Sequence, residues 1–215
     1  MSTDPTTEPT RVITREQLGV KVLTDAKIID MLFDIVYEPI IIVLREGPMT
    51  IKTLVDKYND IAAEPKSEMT IYRYVKELGK HDIVAEVGKI VTTGQSASET
   101  LYGRTAKIFW NLTDKEHYWS GDDSKRTLSA IRDLLALYKK DTKITAENLG
   151  NLLTKTANKS NQELAAFFET NNASINEIIS GYSFKEVDKI FDYLGNLILL
   201  MHIGDFEEEL EQCGC

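Results

Sequence analysis

Between Thr24 and Trp110 the apolar residues recur first at helical and then at strand spacing, and proline and glycine set the breaks between the runs. Ile28, Ile29, Leu32, Phe33, Ile35 and Val36 form a helical stripe over Thr24 to Tyr37, with Thr24 and Asp25 suited to its start. Pro39 ends that run, because proline fits a helix's first turn and costs about 3 kcal/mol or more in its interior. A second helix therefore opens at Glu38-Pro39, runs through Arg45 and closes at Gly47-Pro48. Thr50 to Tyr58 reads as a third helix, capped by Thr50, with Ile51, Leu54, Val55 and Tyr58 inward. Asn59 to Lys66, with Pro65, reads as a loop, and Ser67 opens a fourth helix whose Ile71, Val75 and Leu78 share one buried face. After Lys80-His81-Asp82 the preference changes to Ile83, Val84, Val87, Ile90 and Val91, and it resumes past Thr-Thr-Gly-Gln-Ser as Thr100 to Trp110. Two strands joined by a polar turn make a hairpin.

Beyond Asn111 the pattern is helical. Ser124 to Lys140 turns Leu128, Ile131, Leu134, Leu135 and Tyr138 inward. Ser160 with Glu163, Ser174 with Glu177 and Ser183 with Glu186 each match a capped helix start. From Phe184 to Ile203 the face of Val187, Ile190, Phe191, Leu194, Leu197, Ile198, Leu200 and Met201 is wider than a surface helix needs, so part of it is expected to meet another subunit. The expected fold class is mainly α, of α+β type: a winged helix-turn-helix with a two-stranded wing, followed by an all-helical C-terminal region. The expected organisation is a disordered or partly ordered tail over 1–20, the winged helix-turn-helix over 21–112, a helical dimerisation or effector region over 113–206 and a floppy acidic tail over 207–215.

The fourth helix carries the side chains of interest. A helix that reads a DNA groove buries one face and presents short hydroxyls to phosphates and long planar donors to base edges on the other. Ser67, Thr70, Tyr72, Arg73 and Lys76 fit that division, with Arg73 as the base reader and Lys66, Lys76 and Lys80 as phosphate contacts. The formal net charge of −9 argues the other way until its distribution is considered. Residues 112–215 hold 11 basic and 18 acidic side chains, whereas 21–111 hold 12 and 13, so the acidity lies in the C-terminal half.

The stretches Glu38 to Val55, Met69 to Leu78 (Met-Thr-Ile-Tyr-Arg-Tyr-Val-Lys-Glu-Leu), Asp82 to Val84 and Glu99 to Phe109 (Glu-Thr-Leu-Tyr-Gly-Arg-Thr-Ala-Lys-Ile-Phe) resemble archaeal ArsR-like winged helix-turn-helix transcription regulators over about a third of the chain. The resemblance implies a dimeric DNA-binding domain whose helix from Ser67 to Lys80 lies in the major groove and whose hairpin follows the flanking backbone or minor groove. Lys89, Thr92, Thr93, Gln95 and Ser96, at or beside the wing turn, are candidates for phosphate or sugar contact, and Arg104 and Lys107 on the return strand are equally placed to be solvated.

Other chemistries have little support. Many members of the family sense metals with cysteines near the DNA-binding helices, but here the only cysteines are Cys213 and Cys215. With His202 nearby they offer soft ligands, yet an acidic tail is the simpler account, and no metal or cofactor is expected. His81, near a helix end, reads as a cap or phosphate contact. A glycine-rich phosphate loop, a His-Glu metal motif and a Gly-x-Ser-x-Gly elbow are all missing, so no enzyme is expected. No apolar run approaches the roughly 18 residues of a membrane span, and Met1 to Pro9 does not read as a signal, so the expected location is the cytoplasm. The expected partners are double-stranded DNA and a second copy of the chain. A small-molecule effector lined by Tyr138, Phe167, Phe168, Tyr182 and Phe191 competes with plain core packing of those rings. The alternative function is a protein-interaction module without sequence-specific DNA binding.

Overall fold

A computed structural model describes residues 10–91, 98–112, 119, 121–139 and 144–213. They form an α+β, mainly helical fold in two units, one within residues 1–110 and 172–184 and the other within 111–171 and 185–215.

In the first unit, β1 (Thr10–Ile13) and β2 (Leu18–Leu23) precede α1 (Ala26–Leu32). Of the stretch 1–20, expected to be disordered or partly ordered, the residues from Thr10 onward contribute to strands: β1 pairs antiparallel with β3 (Val84–Val91), and β2 pairs with β5 (Ala106–Asn111). Asp25 caps α1 by accepting from the Lys27 amide. The helix stops short of Tyr37 because the Asp34 carboxylate accepts from the Val36 amide, a local bond that competes with the helical one. Phe33 and Ile35, expected inward, are exposed.

Next come α2 (Glu38–Val43), with Pro39 in its first turn, a single 3-10 turn (Leu44–Glu46), and Gly47 at φ +125°, a conformation that side chains resist. α3 (Ile51–Ile61) is capped by Thr50, and α4 (Glu68–Lys80) by Ser67. The Asn59 side chain brackets Lys66, accepting from its amide at 2.7 Å and donating to its carbonyl at 3.1 Å, which fixes the entry to α4. β3 and β4 (Ser98–Arg104) form an antiparallel pair with a bulge at Val87, and Met49 bridges to Tyr102. The expected single return strand is split at Thr105, whose buried hydroxyl donates to the Asp82 and Ile83 carbonyls and turns the chain from β4 into β5. Ile40, Leu44, Leu54, Ile71, Leu78 and Ile83 are buried in one core.

At Gly88 β1 lies close against β3: a Cβ there would stand 2.2 Å from the Val12 carbonyl oxygen and 3.0 Å from the Ile13 Cα. Backbone cannot yield as a flexible side chain does. Gly88→Val is therefore expected to expel β1 while leaving the α2–α4 core folded, seen as fast hydrogen exchange confined to the Thr10–Ile13 amides.

The second unit holds α5 (Asp122–Lys139), most of α6 (Ala146–Ile179), nearly all of α7 (Phe184–Met201), a 3-10 turn (Ile203–Phe206) and α8 (Glu207–Gln212). The helix starts expected at Ser160 and Ser174 lie inside α6, which kinks only at Asn171. No proline or glycine interrupts 151–180, and Ser160 bonds the Gly195 carbonyl instead of capping. Leu128, Ile131 and Leu135 pack inward from α5, but Leu134 and Tyr138 are exposed. The expected floppy tail is helical through Gln212, because Phe206 and Cys213 are buried and the Lys155–Glu209 ion pair ties α8 to α6.

Candidate nucleic-acid interface on α4

Ile71, Val75 and Leu78 are at most 2% exposed, so one side of α4 is fixed in the core and the opposite side faces outward. The outward side carries Met69, Tyr72, Arg73, Lys76 and Lys80, with Ser67 and a half-buried Thr70 at the N-terminal end. The two hydroxyls are 3.0 Å apart and bond each other.

The cations differ in how they are held. Lys66 pairs with Glu64, Lys80 with Glu77 and Lys76 with Glu86 on β3, each at 2.7 Å. The hydrogen bond to each carboxylate raises the lysine's pKa and lowers that of its partner. Lys76 also stands 5.3 Å from the Tyr72 ring and 5.8 Å from the Tyr102 ring, within cation–π range. Burial raises the pKa of the Tyr102 phenol, which stays neutral beside them. Arg73 is different: its guanidinium has no hydrogen bond, ion pair or ring contact among the described residues. It is the α4 cation free to meet a ligand without first giving up a carboxylate.

Of the wing residues, Lys89 is exposed on β3, whereas Thr92, Thr93, Gln95 and Ser96 lie outside the described residues. His81 is the C-cap of α4, with its Nε2 3.9 Å from Glu77. Arg104 is not a solvated strand residue. It is 4% exposed, its Nε has no acceptor, and burial, reinforced by the charge of Arg45, lowers its pKa to about 9, so it is still a cation at neutral pH. Its guanidinium carbon lies 4.9 Å from the Phe109 ring and 5.2 Å from the Phe184 ring, where Arg45 also stacks at 4.1 Å. Lys107 donates to the Ile179 and Tyr182 carbonyls at 2.9 and 2.7 Å. The strand pattern alone gives no sign of this burial.

Asp82, in the turn after α4, has φ 52° and binds Arg15 at 2.8 Å and Lys21 at 2.6 Å. Burial raises its carboxyl, but the hydrogen bonds from Lys21 and Arg15 outweigh that and hold it below the ordinary 3.8. Its folded pKa is thus depressed, so its contribution to stability is complete above the unfolded value and disappears as pH falls through the folded one. Asp82→Asn keeps a residue that tolerates the left-handed backbone and removes the charge. It is expected to cost under about 1 kcal/mol at pH 7, since the pair is half exposed, and to flatten the loss of stability below about pH 4 in urea titrations.

The expected dimerisation face on α7 is divided. Val187 and Phe191 are 0% and 4% exposed, with Phe191 packing on Phe168 at 4.7 Å between ring centres. Ile190, Leu194 and Ile198 are half-buried, while Leu197 and Met201 are exposed, as are Tyr193 and Leu200. Of the rings considered for an effector pocket, Phe168 and Phe191 are core, Tyr138 is 83% exposed and Phe167 is partly exposed, all in the second unit, while Tyr182 belongs to the first. Cys213 is buried against Leu128, Ile144 and Leu149, and Cys215 lies outside the described residues. Among the described residues no helix is long and apolar enough to cross a membrane, and no group of His, Cys, Asp and Glu has metal-ligand geometry. No family model matches this chain, and no curated protein matches it.

Proposed function

We propose that this chain is a sequence-specific DNA-binding transcription regulator of the winged helix-turn-helix, ArsR-like kind, with α4 as its recognition helix. The observation that carries the reading is Arg73: an unpaired, outward guanidinium on a helix whose other face is locked into the core. The order α2, α3, α4, then the β3–β4 pair with the Met49 bridge, supports the winged-helix assignment. Guanidinium geometry suits guanine N7 and O6, and Lys66, Lys76, Lys80 and Lys89 suit phosphates once Glu64, Glu86 and Glu77 release the first three. A homodimer would place two such helices at half-sites about 34 Å apart. Exposed Tyr193, Leu197, Leu200 and Met201 on α7, with Leu134 and Leu137 on α5, are its proposed apolar contacts.

A second reading is favoured by different observations. Three of the four cations around α4 are neutralised, and Met69 and Tyr72 are 76% and 42% exposed, which suits a protein-interaction module. Retention on duplexes selected from a random library separates the two. The wild type is expected to bind in about 50 mM salt and to release as salt rises. An Arg73→Ala/Lys76→Ala variant is expected to bind roughly 10- to 100-fold more weakly. Equal, negligible retention of both proteins would leave the protein-interaction reading standing.

A further inference from the structure

Arg104 is the one buried cation among the described residues, and no acceptor there meets its guanidinium. It lines a cavity of about 370 Å³ inside the first unit. Lys107 is in the same wall and donates to the Ile179 and Tyr182 carbonyls. Arg15 and Glu16 are the other charged lining residues, and Arg15 is engaged by Asp82. The cavity therefore has more positive than negative charge, yet Leu18, Leu44, Val87 and Ile179 give it apolar sides. A buried guanidinium without an acceptor is costly for a fold to keep, and a fork of donors matches a carboxylate's two oxygens.

We propose that this cavity is a binding site for a small aliphatic carboxylate, whose oxygens accept from Arg104 and whose hydrocarbon body lies along Leu44, Val87 and Ile179. Its volume falls in the range of small-molecule pockets. Phosphate satisfies the cation but leaves the apolar wall bare, so an organic acid fits better than an inorganic anion. The site stands independently of the DNA reading. Should both hold, the ligand lies beside Arg15, which is tied through Asp82 to the end of α4, and so has a route to the recognition helix.

The test is titration of the full-length protein with hexanoate, followed in proton–nitrogen correlation spectra of the arginine side chains, with 1-hexanol and inorganic phosphate as comparison probes. The Arg104 resonance, assigned by its disappearance in Arg104→Lys, is expected to shift saturably with millimolar hexanoate. Hexanol and phosphate are expected to bind at least about tenfold more weakly, since each lacks one half of the recognition. Arg104→Met, checked for folding by circular dichroism, is expected to lose the hexanoate response. Absence of a saturable shift, equal binding of hexanol and hexanoate, or undiminished hexanoate binding by folded Arg104→Met would each overturn the proposal. Because no DNA is present, these outcomes leave the DNA result untouched.

Discussion

Leu78→Ala is expected to lower the stability of the unit carrying α4 by about 2–5 kcal/mol, whereas Met69→Ala on the opposite face should change it by less than about 0.5 kcal/mol. Leu78 is fully buried and shares the core with Ile40, Leu54, Ile71 and Val75, while Met69 is 76% exposed. Truncating the leucine removes the transfer energy of its methyl groups and leaves a cavity that helices pinned at both ends cannot close. Small domains are stable by about 5–15 kcal/mol, so the loss is a large part of the total. Urea denaturation of the two variants measures it. Similar small losses in both would mean that α4 is not docked by the face that fixes Arg73 outward.

Arg104→Met is expected to do the reverse and raise stability, by about 1–3 kcal/mol. The native guanidinium holds its proton less tightly than it does in the unfolded chain, since burial lowers its pKa to about 9. The penalty is therefore complete below about pH 9 and relieved only as pH rises above it, so the variant should gain the full difference at neutral pH. The contacts with Phe109 and Phe184 offset part of this, at about 0.5–2 kcal/mol for each cation–π contact, and methionine retains packing against both rings. Thermal unfolding should shift upward by about 2–4 °C per kcal/mol for a chain of this size. A lower melting temperature would mean that stacking outweighs burial, and that Arg104 is kept for the fold rather than for a ligand.

The helices around α4 were legible because local signals agree there. Pro39, the Gly47-Pro48 break and the Thr50 and Ser67 caps fix the ends, and Ile71, Val75 and Leu78 set the inward face. Long-range pairing was not legible. β1 and β2 are short, and β1 is exposed throughout; it is a strand because β3 lies beside it, with Gly88 allowing the approach. Likewise the Ser-x-x-Glu spacing at Ser160 and Ser174 resembles a helix start, but neither is preceded by a breaker, so α6 runs on. At the candidate interface the outward set on α4 was readable from period alone. Its neutralisation was not, because Glu86, the partner of Lys76, comes from a strand ten residues on. Burial of Arg104 depends on Phe109 and on Phe184, far away in sequence.

The central claim, that the outward face of α4 binds duplex DNA, predicts opposite effects from two neighbouring changes. Fluorescence anisotropy on a selected duplex in about 50 mM salt should show Arg73→Ala weakened by roughly 10-fold or more, through loss of the free guanidinium. Glu86→Gln, which frees Lys76 from its carboxylate, should bind several-fold more tightly, with a steeper salt dependence. Unchanged affinity in both variants, or no binding by the wild type at that salt, would contradict the account.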